Sequence, residues 1–246
     1  MRIRVIACCL NEEDMLPFFL QHYSSFVDEI LIFDGGSTDR SYDIIKQWPK
    51  AKLFIRQDDV MDERLLTGVR NDFYKVGREN WDFVIIVDVD ELLWHTNIIS
   101  KLQIYKDEGV TIPKVTGYDM YSKTFPNFNP NKTIIDQIKT GKRNDEWQSK
   151  NCIFNPKAVD INYEFGCHRC HPTGNVVYNS FPELLLLHYN HVGFSHFIKR
   201  HKFNAARMSE FNKQHNLAFH IPLWAKMTEE EFNKKVQNEA TDTVFN

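Results

Sequence analysis

Two stretches of the chain end an apolar run on groups that bind cations. In WDFVIIVDVDELLW, five apolar residues run into Asp88-Val89-Asp90. Carboxylates at the end of a buried strand are costly unless cations or donors compensate them. A hard divalent cation takes carboxylate oxygens and shares itself with substrate phosphates. Asp88 and Asp90 are therefore candidate ligands for Mn²⁺ or Mg²⁺, the alternative being a solvated strand end. ELLLLHYNHVGF repeats the pattern and ends at His188-Tyr189. A ring at the end of a rigid strand is held in a fixed direction, as a ligand must be. A neutral imidazole suits Mn²⁺ better than Mg²⁺. A half-buried histidine bonded to a carbonyl is the other reading, and the one preferred for His191.

Two further groups stand out. Arg70 of GVRND carries a fork suited to a phosphate or a base carbonyl; otherwise it is a surface arginine paired with Asp72 or Glu63. EFGCHRCHPTG places Cys167, His168, Cys170 and His171 together. These are zinc-type ligands, but structural zinc sites use two separated pairs, so the segment reads as a loop ending in a Pro172-Thr173-Gly174 turn.

The elements that must position these groups alternate over the first 90 residues. RIRVIACCL, DEILIFD, AKLFIR and the apolar part of WDFVIIVDVDELLW read as strands. EEDMLPFFLQHYSSF, TDRSYDIIKQW and DERLLTGVRNDFYKVG read as helices. Acids are expected in the first turn of the first helix, Thr38 or Asp39 as the cap of the second, and Gly77 at the close of the third. Strands separated by helices imply βαβ units and a parallel sheet covered on both faces. Ligands bind beyond the carboxyl ends of such strands. There the first strand presents Asn11-Glu12, the second Asp34-Gly35-Gly36 and the fourth Asp88 to Glu91.

Residues 109–150 are polar and contain Pro113, Pro126 and Pro130, with little periodicity. KNCIFNP, NVVYNS and ELLLLHY are strand-like. FSHFIKRHKFNAARMSEFNKQH reads as one long basic and aromatic helix, bearing Lys199, Arg200, His201, Lys202 and Arg207, and TEEEFNKKVQNEA as an acidic helix. The expected division is an α/β half at 1–118 and an acceptor-side half with the C-terminal helices at 119–246, packed as one compact unit.

The 246 residues suffice for a buried core. A net charge of −3 argues against nucleic acid as a partner. Five cysteines, two of them inside an apolar strand, read as reduced thiols of a cytosol-like compartment. No secretory signal opens the chain and no apolar run approaches a membrane span; peripheral attachment at the cytoplasmic face of a membrane stays open.

In motif order, NEEDMLPFFLQHY, DEILIFDGGSTDRSYDII, GVRND and DFVIIVDVDELL resemble the GT-A glycosyltransferases of family 2, over about 95 residues, three βα units' worth. The resemblance implies a GT-A, Rossmann-like sheet and a nucleotide-sugar donor. It implies a nucleoside held by Asn11, Glu12, Asp34 and Gly35, with Arg70 beside the nucleotide. It implies a diphosphate held through the metal on Asp88 and Asp90, His188 as a third ligand, and His168 near the diphosphate or acceptor. Many family members carry two aspartates before Gly-Ser, whereas Gly35 follows Asp34 here. The implied reaction is inverting transfer to an acceptor hydroxyl of a glycan or glycolipid, in glycan or polysaccharide synthesis. It needs a carboxylate base. Asp119, Asp136, Glu146 and Glu164 are candidates, with Asp119 and Glu164 preferred. The alternatives are a sugar nucleotidyltransferase, which would want a basic phosphate loop where Glu12-Glu13-Asp14 stands, or an inactive nucleotide-sugar-binding module.

Overall fold

The computed structural model describes residues 1–57 and 60–245; Asn246, the last residue of the expected second half, lies outside them. The elements run β1 (Ile3–Cys9), α1 (Leu16–Ser24), β2 (Glu29–Asp34), α2 (Ser41–Lys46), β3 (Ala51–Ile55), α3 (Glu63–Asp72), β4 (Phe83–Asp88), β5 (Glu91–Trp94), α4 (Ile98–Asp107) and β6 (Val115–Ser122). They continue as α5 (Ile134–Gln137), β7 (Thr140–Arg143), β8 (Ile153–Phe154), β9 (Val159–Asp160), β10 (Thr173–Gly174), β11 (Leu184–Val192), α6 (Phe194–Ala206), α7 (Glu210–Gln214), α8 (His220–Trp224), α9 (Glu229–Glu239) and β12 (Asp242–Thr243).

The expected parallel sheet is present. Its order is β3-β2-β1-β4-β8, with β1 parallel to both β2 and β4, and β8 antiparallel at the edge. Register places Cys9 opposite Asp34 and Cys8 opposite Asp88, so three strands end together. Side chains alternate across the sheet: Ile3, Val5 and Ala7 join the core under α1, and Ile6 packs with Phe33, Val84 and Ile86 on the other face.

A second sheet has the order β12-β7-β6-β11-β5, in which β11 runs parallel to β6 and antiparallel to β5. The expected boundary at residue 118 falls inside β6. The chain crosses that point in both directions, since β8 returns to β4 and β11 lies between β5 and β6.

Several local expectations are corrected. Glu12, Glu13 and Asp14 do not sit in the first turn of α1; they form the turn before it, where the Glu12 carbonyl accepts from Met15 and Leu16 N–H. The cap position of α2 is Arg40, although the preceding Asp39 accepts the Ser41 N–H at 2.9 Å. Gly77 does adopt the left-handed conformation, at φ +66°, but after a 3₁₀ turn that follows α3. The fourth strand ends at Asp88 as expected, and a further strand, β5, begins in the other sheet at Glu91. Residues 109–150 contain β6 and β7, which the polar composition concealed. NVVYNS forms only a bridge from Tyr178 to Ile112. The long helix breaks after Ala206, and Ser209 caps α7.

Candidate active site

The ends of β1, β2 and β4 open into a cleft of about 920 Å³, whose other wall comes from β6, β11, α6 and α8. Asp88 ends β4. Its backbone N–H donates to Glu91 Oε2 at 2.9 Å, and Glu91 Oε1 accepts from Lys150 Nζ at 2.6 Å, a buried ion pair beneath the strand end. The Asp88 carboxylate pairs with the buried Arg70 guanidinium. Burial is the largest influence and would raise its pKa, but Arg70, Lys150 and Arg200 together outweigh it and lower the pKa. Arg70 also donates to Cys167 Sγ at 3.4 Å, so its fork is engaged by protein groups.

Asp90 lies in the β4–β5 link and is buried. The Tyr189 N–H donates to its carbonyl, and β5 pairs Glu91 with His188. These ladder contacts bring Asp90 Oδ2 to 3.3 Å from His188 Nε2. His188 Nδ1 donates to Asp119 Oδ1 at 2.9 Å, and Asp119 Oδ2 accepts from Asn144 at 2.7 Å. Against burial, Asp90 and Asp119 raise the His188 pKa to about 10. Asp90 is held well below the usual carboxylate range, because Arg200 and His188 overcome its desolvation. A bulge follows His188, with Tyr189 and Asn190 facing Met120 alone. Such a bulge re-aims side chains, and His188, Asn190 and His191 all line the cleft.

Arg200 reaches in from α6. It donates to Glu12 Oε1 at 2.8 Å and pairs with Asp90 Oδ2. Glu12 is buried and lines the cleft, and burial raises its pKa. Gly35 lines the cleft as well.

Other expected residues do different work. Asn11 takes φ +53°, and its side chain accepts the Thr38 N–H at 2.7 Å, stitching the β1 end to the β2 turn. Asp34 Oδ1 accepts from Gly36 and Ser37 N–H at 2.8 and 2.6 Å, and Gly36 supplies φ +96°. Neither Asn11 nor Asp34 is among the residues that line the cleft. His168 lines it, with Nδ1 donating to the Trp147 carbonyl at 2.7 Å. Glu164 lies on a smaller neighbouring pocket and bonds the exposed His171 at 2.6 Å. His191 is buried among Tyr121, Phe197 and Trp224 with neither ring nitrogen bonded, not bonded to a carbonyl as expected.

Sequence reasoning missed Lys150, whose partner lies 59 positions away, and left Glu63 only as a partner for Arg70. Glu63 lines the cleft, accepts the Gly166 N–H at 3.0 Å, and has its pKa raised by burial. No signal in the sequence marks either one.

Among the described residues, no three His, Cys, Asp or Glu side chains converge as a closed metal site. A cation shared with substrate phosphates needs only one or two protein ligands. Asp90 and His188 carry the donor atoms that such a pair requires. Asp90 Oδ1 is buried without a partner among the described residues, and Asp119 backs the imidazole as a carboxylate commonly backs a ligating histidine. The residues present thus fit a divalent ion.

A parallel sheet whose strand ends gather carboxylates and guanidinium groups in one cleft defines a nucleotide-type α/β protein. The chain belongs to glycosyl transferase family 2, whose model matches residues 4–159. No curated protein matches the chain. Among solved structures it is similar to S. aureus TarS 1-349 in complex with UDP-GlcNAc, at 13% identity and TM-score 0.45, covering 98% of this chain and 74% of that one. Against another TarS crystal structure the identity is 12% and the TM-score 0.42, covering 95% of this chain and 42% of that one. It is also similar to glucosyl-3-phosphoglycerate synthase from Mycobacterium tuberculosis, in complex with Mn²⁺, UDP and glucosyl-3-phosphoglycerate. There the identity is 21% and the TM-score 0.32, covering 48% of this chain and 44% of that one. No helix among the described residues is long and apolar enough to cross a membrane.

Proposed function

We propose that this chain is a metal-dependent glycosyltransferase that moves a sugar from a nucleotide-sugar to an acceptor hydroxyl with inversion, working as a single catalytic unit. The observation that carries the reading is the pairing of Asp90 with His188 at the carboxyl ends of the parallel strands, inside the cleft that the strand ends open into. A bound Mn²⁺ or Mg²⁺ there would supply positive charge to the departing nucleoside diphosphate. The chain's own residues do the rest. Asp90 and His188 would hold the ion, and Asp119 fixes the imidazole through its bond to Nδ1, leaving Nε2 on the Asp90 side. Arg70 and the Glu91–Lys150 pair hold Asp88 at the strand end, where its carboxylate would be available to the ribose of a bound donor. Glu12 and Gly35 form the nucleoside side of the cleft, while Asn11 and Asp34 shape its floor through the turn.

The acceptor hydroxyl must lose a proton during direct displacement. Of the two carboxylates preferred from sequence, Asp119 lines the cleft but has both oxygens engaged, which supports an orienting role. Glu164 lies outside the cleft. Glu63 is better suited as the base, because burial raises its proton affinity towards the range a base needs. The acids of the first strand end speak against a nucleotidyltransferase, whose triphosphate they would repel.

A thermal-shift panel of nucleoside diphosphates with Mn²⁺ tests the reading. A ligand at 100 times its dissociation constant adds about 2.7 kcal/mol. At least one diphosphate should raise the melting temperature, and only with the metal present. If none does at millimolar concentration, the donor assignment is wrong.

A further inference from the structure

Arg200 bridges the two acids at the ends of β1 and β4. Its Nε donates to Glu12 Oε1 at 2.8 Å, and its Nη1 reaches Asp90 Oδ2 and lies 3.3 Å from Asn190 Oδ1. The remaining oxygens of both acids, Glu12 Oε2 and Asp90 Oδ1, are buried with no partner among the described residues. The Asp90 side chain is only 2% exposed. With the guanidinium in place, neither Asp90 oxygen is open to an incoming ion: one is already bonded to Arg200 and His188, and the other is sealed.

Without a cation, two buried carboxylates side by side would repel each other and lose their hydration. Arg200 removes that penalty from the chain's own resources. A guanidinium and a divalent ion on one carboxylate oxygen would repel each other across a few ångströms in a poorly screened site. Glu12 offers a tether, since the Nε bond to it can persist when the Asp90 contact breaks.

We propose that Arg200 is a resident counter-cation of Asp90, which a divalent ion must displace in order to bind. The proposal rests on the reading of Asp90 and His188 as the ligand pair. It makes metal affinity a competition set by residue 200, a position outside the region that the family model matches.

The test is Mn²⁺ titration of purified protein, followed by electron paramagnetic resonance of the free ion at one pH. Wild type is compared with Arg200→Met, Arg200→Lys, Asp90→Asn and His188→Ala. Arg200→Met should bind Mn²⁺ at least tenfold more tightly. Arg200→Lys, too short to bridge both acids, should fall between the two. Metal-free Arg200→Met should melt below wild type and gain more from Mn²⁺. If it does not fold, Arg200→Lys decides: tighter binding than wild type supports displacement, and equal or weaker binding overturns it. Equal or weaker binding in Arg200→Met, with Asp90→Asn having lost the ion, overturns displacement and leaves the ligand pair standing. Wild-type affinity in both Asp90→Asn and His188→Ala overturns the pair and the displacement together.

Discussion

Asp90 and His188 face each other at 3.3 Å because β5 pairs with β11, not because the two lie near each other in sequence. Their spacing suits two ligands of one ion. His188→Ala should therefore weaken Mn²⁺ binding by at least tenfold. Asp88→Ala should weaken it less, since Arg70 already holds that carboxylate. His168→Ala should lower turnover with the metal still bound. Equal Mn²⁺ affinity in wild type and His188→Ala would refute the ligand role.

Asp119→Ala separates two roles for one carboxylate. If Asp119 orients His188, its loss should lower Mn²⁺ affinity about 10–100-fold, and saturating Mn²⁺ should restore most of the turnover. If it is the base, turnover stays low at any metal concentration. Glu63→Gln should give the converse result, with normal Mn²⁺ affinity and turnover down by roughly 10²-fold or more. Steady-state kinetics across a Mn²⁺ series distinguishes the two.

The buried histidines contribute to both pH limits of the metal-free protein. The His188 pKa is raised to about 10 in the folded state, against an ordinary value of 6.5. Its stabilisation is fully present below about pH 6.5 and is lost as pH rises through about 10. His191 and His201 are lowered to about 3, in both cases chiefly by burial. Their contribution is present above about pH 6.5 and is lost as pH falls towards 3. Urea midpoints should therefore decline on both sides of neutrality, and His191→Phe should flatten the acid limb. Because a metal must displace the His188 proton, Mn²⁺ affinity should climb by about a decade per pH unit between 7 and 9. A flat affinity profile would show that the ion does not meet His188.

The first sheet was legible because its strands are continuous apolar runs bounded by turn residues, and parallel register then forces Cys9–Asp34 and Cys8–Asp88 to a common edge. The second sheet was not. β6 reads VTGYDMYS, a mixture without clean alternation, and it tolerates Gly117 because Gln148 crosses there: a Cβ would lie 2.2 Å from the Gln148 carbonyl carbon. That crossing is a long-range contact with no local signature. The same holds for Arg200, one of several cations on a basic helix, which only the α6–β11 geometry singles out. His188 was singled out because it repeats the local pattern of an apolar strand ending in a polar group, and the structure places it in the cleft. Asp119, its partner in register, was found for a role that its two hydrogen bonds do not favour.

The Glu91–Lys150 pair provides the sharpest stability test. Both side chains are buried, at 2% and 5% exposure, and the second Glu91 oxygen holds the Asp88 N–H. Lys150→Met leaves a buried carboxylate without its cation, which should cost about 3–5 kcal/mol. Replacing both partners, as Glu91→Gln with Lys150→Met, leaves a neutral amide that can still accept from Asp88, so the double variant should recover much of that loss. The difference between the variants is a coupling free energy, read from urea unfolding of the two single variants, the double variant and wild type. The double variant should also keep Mn²⁺ binding, because the amide preserves the hydrogen bond that sets the β4 end. A Lys150→Met loss below 1 kcal/mol, or a double variant as unstable as the single one, would mean that the pair is solvated in solution and does not support Asp88.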